Sequence, residues 1–128
     1  MTNRAVQPDA LAPPAANYAH AVLSENPKRI LHTSGVVPTR PDGTVATDIG
    51  EQAEEIWRTI GVLLDEVGLG PADVVSVTTY VTPGQPLDQV MAARDAFFGE
   101  HRAASTLLTV AALARPEWLM EIAVVAAK

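Results

Sequence analysis

The chain contains no cysteine. That absence removes disulfide bridges, thiolate nucleophiles and thiolate metal sites from the chemistry open to it. No apolar run reaches membrane-spanning length, and the N-terminal M-T-N-R-A-V-Q-P lacks the apolar centre of a signal peptide. A cytoplasmic location without membrane contact is the expectation. Clustered positive charge is missing too. Nine Lys and Arg lie scattered among 15 Asp and Glu, for a net charge of −6. Nucleic-acid surfaces neutralise phosphates with grouped basic side chains, so no nucleic-acid partner is expected. His20, His32 and His101 show no metal-ligand spacing, so neither metal nor cofactor is expected.

What the chain does have is apolar side chain, 48% of 128 residues, in a length that reads as one domain over 1–128. A domain this small has much surface per unit volume, so part of that apolar surface is expected at a subunit interface. Residues 1–17, with Pro8, Pro13 and Pro14, read as an extended N-terminal arm.

Residues 18–23 and 29–37 are short apolar runs separated by S-E-N-P-K, the pattern of a β-hairpin. Turn chemistry follows in P-T-R-P-D-G. Residues 49–67 carry Ile49, Ala53, Ile56, Ile60, Leu63, Leu64 and Val67 at helical steps, with Asp48 as N-cap and Gly68 as terminator. The run 74–81, V-V-S-V-T-T-Y-V, reads as a central strand. A second helix is expected over 87–100, and strands over 106–113 and 118–127. Trp57 and Trp118 read as core or interface anchors. His101 reads as a surface residue complementing the second helix's dipole.

The order β-β-α-β-α-β-β describes an α+β domain with two helices on one face of a mixed sheet. Residues 74–81 and 119–126 are apolar on both alternations, which requires the sheet's second face to be covered as well. Self-association through that bare face into a closed homo-oligomer meets the requirement.

Several segments together resemble the Rid family of YjgF-type reactive-intermediate deaminases. They are N-Y-A-H-A-V (17–22), H-T-S-G-V-V-P (32–38), D-I-G-E-Q-A-E-E-I-W (48–57), L-L-D-E-V-G-L-G-P-A-D-V-V-S-V-T-T-Y-V (63–81), V-M-A-A-R-D-A-F-F-G-E-H (90–101) and M-E-I-A-V-V-A (120–126). The resemblance implies a chorismate-mutase-like fold, a homotrimer, and small-molecule ligands bound in clefts between subunits. It implies hydrolysis of small imines or enamines, such as 2-aminoacrylate derivatives, to a keto acid and ammonia.

The resemblance also implies site residues. Tyr18 matches a cleft tyrosine, Ser34 and Gly35 an S-G pair, and Glu121 the glutamate that positions the attacking water. A carboxyl group there suits general acid/base catalysis. The family's carboxylate-gripping arginine, in P-A-R-[ST], falls on Ser105, beside Thr106. A bidentate guanidinium fork is well shaped for that grip, and Ser105 has none. Arg102 lies an odd number of residues away, so strand alternation points it to the opposite face. The glutamine after S-G is Val36 and the asparagine of the second helix is Met91, which makes the expected cleft more apolar.

Two functions remain open. One is a Rid-like enzyme using Glu121 on an imine, enamine or related carbonyl compound by hydrolysis, tautomerisation or cyclisation, outside the standard 2-aminoacrylate set. The other is a non-catalytic small-molecule-binding or interaction protein that retains the trimeric scaffold. An endoribonuclease role, attached to the family by name, fits poorly with the acidic charge.

Overall fold

The computed structural model describes residues 2–128. The elements run β1 (Asn3–Val6), β2 (Ala21–Ser24), β3 (Ile30–His32), α1 (Ile49–Glu66), β4 (Val74–Val81), α2 (Leu87–Phe98), β5 (Ala104–Thr109) and β6 (Met120–Ala127). Four strands form a mixed sheet in the order β3-β6-β4-β5, in which β4 and β5 are parallel and the other pairs antiparallel. No helix among the described residues is long and apolar enough to cross a membrane.

The helices form where apolar periodicity and caps require them. The Asp48 carboxylate accepts the Glu51 N–H at 3.0 Å and starts α1. Gly68, at φ +73°, carries the chain out of it. Ile49, Ala53, Ile56, Trp57, Ile60 and Leu64 are buried along one face of α1. They share a core with Val77 and Val81 of β4, Val90 of α2, and Met120, Ile122 and Val124 of β6. Alternation puts these strand residues on the face carrying both helices. The opposite face presents Thr78, Tyr80, Glu121, Ala123 and Val125 half-buried and Leu108 exposed.

Gln52, a polar residue with no accessible surface, links α1 to β6. Its amide nitrogen donates to the carbonyls of Ala46 at 2.7 Å and Glu117 at 2.9 Å, and its oxygen accepts the Leu119 N–H at 2.9 Å. The last two of those bonds fix the segment entering β6 and so the register from which Glu121 projects.

The expected hairpin of residues 18–23 with 29–37 does not form. β2 pairs antiparallel with β1, and β3 pairs with β6. The N-terminal arm therefore contains a strand, and the order gains an element at its start. This two-stranded sheet straps the end of the main sheet where β5 begins and β6 ends. Ala19 bridges Ala104, and the Asn3 side chain donates to the Ala127 carbonyl at 2.7 Å. Met1 of the arm lies outside the described residues. The fourth main-sheet strand runs 104–109 rather than 106–113, because its register with β4 ends where β4 does, the Val110 N–H making a last bond to Val81 O at 2.9 Å. His101 is half-buried, not a free surface residue, and its Nε2 lies 2.7 Å from the Val74 carbonyl.

Candidate functional site

The residues matched by sequence fall into two groups within one protomer. The first surrounds Glu121. Beyond β3 the chain continues along β6, with the Val36 N–H donating to Ile122 O at 2.7 Å and the Ile122 N–H returning to Val36 O at 3.1 Å. This pairing lays Gly35 directly under the Glu121 side chain. A Cβ at position 35 would stand 1.8 Å from Glu121 Oε2 and 2.7 Å from its Cδ. The glycine is needed for that close approach, not for an unusual backbone angle. Ser34 is exposed beside it, and Tyr80 stands opposite Glu121 in the strand register. Val36 does not line this surface; it is 8% exposed and belongs to the core.

The second group lies at the β5 edge. The Ala19 N–H donates to the Ala103 carbonyl at 3.0 Å, which sets Tyr18 beside that edge. The Tyr18 hydroxyl accepts the Ala15 N–H at 3.2 Å. Ser105 aligns with Val77 and Thr106 with Thr78, so the two hydroxyls occupy opposite faces of the sheet. Ser105 is on the helix side and Thr106 on the bare side. Met91 of α2 lines a small cavity of about 10 Å³ with Trp57, Thr79, Arg94 and Leu107. Arg102 offers nothing here. It precedes β5, and its Nη1 donates to the carbonyls of Gly99 at 2.8 Å and His101 at 3.1 Å.

One protomer does not unite the groups. Glu121 is in register with Tyr80, and Tyr80 with Leu108, three residues beyond Ser105. Two strand spacings and three residues of rise separate Glu121 from Ser105 by ~10 Å in each direction, on opposite faces.

A depression of about 730 Å³ lies elsewhere. It runs between α1 and α2 and is lined by Trp57, Phe97, Ala93, Asp48, Glu51 and Glu54, among others, but by none of the site residues that the resemblance implies. Its rim includes Arg58, whose hydrogen bond and charge hold the neighbouring Glu55 carboxyl below the usual carboxylate range.

This architecture has clear relatives. The family described as Endoribonuclease L-PSP matches residues 9–128. The chain belongs to that family. A crystal structure of a protein of unknown function from Yersinia pestis, YyfB of the conserved Rid family, superposes with a TM-score of 0.89 and 30% identity. The match covers 100% of both chains. A 2-iminobutanoate/2-iminopropanoate deaminase of Salmonella typhimurium is 35% identical over 72 residues, 56% of this chain and 56% of the relative. A RutC family protein of Pyrococcus abyssi is 27% identical over 117 residues, 90% of this chain and 89% of the relative. The Rid fold, α+β with two helices on a mixed sheet, is thus established for this chain. The match to the Salmonella deaminase spans little more than half of each protein.

Sequence reading missed two features of this Rid chain. Arg94 appears in the sequence as an ordinary charged helix residue, yet it is 8% exposed and paired with the adjacent Asp95. Gln52 appears as an ordinary polar helix residue. Its fourth-place spacing from Asp48, on the same face as the buried Ile56, was the available signal.

Proposed function

We propose that this Rid protein hydrolyses a small imine or enamine, with Glu121 as general acid/base, in a cleft completed by a second copy of the chain. The observation carrying the reading is the Glu121 carboxylate lying across Gly35 on the otherwise bare sheet face. Glu121 takes a proton from water as the water oxygen bonds to the imine carbon and the C=N π pair moves to nitrogen. Protonation of that nitrogen and collapse of the carbinolamine release ammonia and leave C=O. The net change is imine plus water to carbonyl plus ammonia.

Two features support assembly as part of the site. The matched residues are split between two regions of one protomer, and Leu108 on the bare face is 44% exposed. Packing that face against other copies, three in the arrangement the resemblance implies, would set the Tyr18–Ser105 edge of one protomer against the Glu121 surface of the next. Ser105 supplies no guanidinium, so the smallest 2-imino acids are gripped differently from the family pattern. That same substitution is the observation behind a second reading, a ligand-binding protein without chemistry.

Ammonia release from imines generated in situ separates the two. Glu121→Gln keeps the shape and removes proton transfer, so turnover is expected to fall ~10²–10⁴-fold with the protein still folded and assembled. Equal rates in wild type and Glu121→Gln would dismiss Glu121 as the acid/base.

A further inference from the structure

The helix layer, on the face away from the bare side of the sheet, carries a groove with two unlike ends. Gly50 and Gly61 on α1 and Ala92, Ala93 and Ala96 on α2 line the space between the helices. Helices close on one another by interdigitating side chains, and these positions supply almost none, so about 730 Å³ stays open. A volume of that size suits a small organic molecule.

One end is apolar. Trp57 and Phe97 stack there with ring centroids 4.6 Å apart and planes at 28°. A Cβ at Gly61 would stand 3.6 Å from Phe97 Cε1, so the α1 backbone lies against that ring. The other end is lined by oxygen. Asp48, Glu51 and Glu54 bring three carboxylates to it. Gln89 Oε1 and Asp48 Oδ2 stand 2.8 and 3.0 Å from where a Gly50 Cβ would be, two acceptors bracketing one point.

These carboxylates lack a counter-charge. Arg58 is the only cation lining the groove among the described residues, and it follows Glu54 by four positions, the spacing of a helix ion pair. It pairs with Glu55 instead, its Nε and Nη2 donating at 2.9 and 2.6 Å. Among the described residues Asp48, Glu51 and Glu54 form no ion pair. Unpaired carboxylates beside an aromatic floor attract a cation with an apolar body. Glu54 and Gly61 are seven residues apart, ~10 Å along the helix, which sets the length of that body.

We propose that the α1–α2 groove binds a small amphipathic organic cation. Its ammonium sits among Asp48, Glu51 and Glu54, and its apolar body lies over Phe97 and Trp57. The site shares no residue with the Glu121 surface and does not rest on the imine-hydrolase reading.

Calorimetric titration with 4-phenylbutylamine, 4-phenylbutanol and 4-phenylbutanoate tests the site with one body and three head groups. The amine is expected to bind, the alcohol to bind more weakly and the carboxylate not to bind. Exposed ion pairs contribute up to roughly 5-fold each, so Glu51→Gln combined with Glu54→Gln should bring the amine down to the affinity of the alcohol. Ala96→Leu, from an exposed position on α2, should fill the groove and remove both ligands. Thermal melting and light scattering check that every variant is folded and assembled, and Glu121→Gln should bind the amine like the wild type. Equal affinity for amine and alcohol, no binding of the amine, or unchanged amine affinity in either folded groove variant would overturn the proposal. So would a smaller assembly for Ala96→Leu, which would make the groove an interface between copies. A helical peptide of lysine and leucine that binds where the amine does not would assign the groove to a protein partner and overturn it equally.

Discussion

Replacing Gly35 with alanine tests the carboxylate geometry with a single methyl group. The new Cβ would start 1.8 Å from Glu121 Oε2, whereas non-bonded carbon contacts settle near ~3.5 Å. The carboxylate must therefore retreat by more than about 1 Å. Only the end of a flexible side chain has to move, at a rotamer cost of about 0.5–1.5 kcal/mol. The lower entropy of an unfolded alanine chain returns about 0.4–1 kcal/mol. Stability should thus be nearly unchanged, with a melting temperature within a few degrees of wild type. Catalysis should not survive as well, since a 1 Å misplacement costs ~10²-fold. Melting curves, light scattering and ammonia release on one preparation give the comparison. A folded Gly35→Ala protein with wild-type turnover would refute the claim that Glu121 acts from this position. An unfolded one would refute the claim that only the carboxylate is displaced.

Gln52→Met should destabilise the fold, because the carbonyls of Ala46 and Glu117 and the Leu119 N–H lose their buried partner. The cost is about 1–3 kcal/mol per unsatisfied group, and denaturant titration should show a loss of at least ~2 kcal/mol. A loss near zero would mean that water replaces the side chain. Leu108→Glu places a charge on the bare sheet face; light scattering should report about three chain masses for wild type and a smaller species for the variant. A stable wild-type monomer at micromolar concentration would remove the shared cleft.

The sequence by itself determined the local elements. α1 was legible from Asp48, Gly68 and the apolar stripe from Ile49 to Leu64, because caps and periodicity act within one or two turns. β4 was legible from its β-branched run, and Glu121 as the only charge in β6. Strand pairing was not legible in this way. β2 and β3 had the spacing of a hairpin, yet each found a partner far along the chain, β1 in one case and β6 in the other. The opposite faces of Ser105 and Thr106 depended on the β4–β5 register, which adjacent residues do not specify. Gly35 meets Glu121, and Arg94 meets the Trp57 cavity, only after sheet and helices have packed. Burial of a guanidinium is set by what surrounds it in space, and the residues flanking Arg94 along α2 carry no record of that.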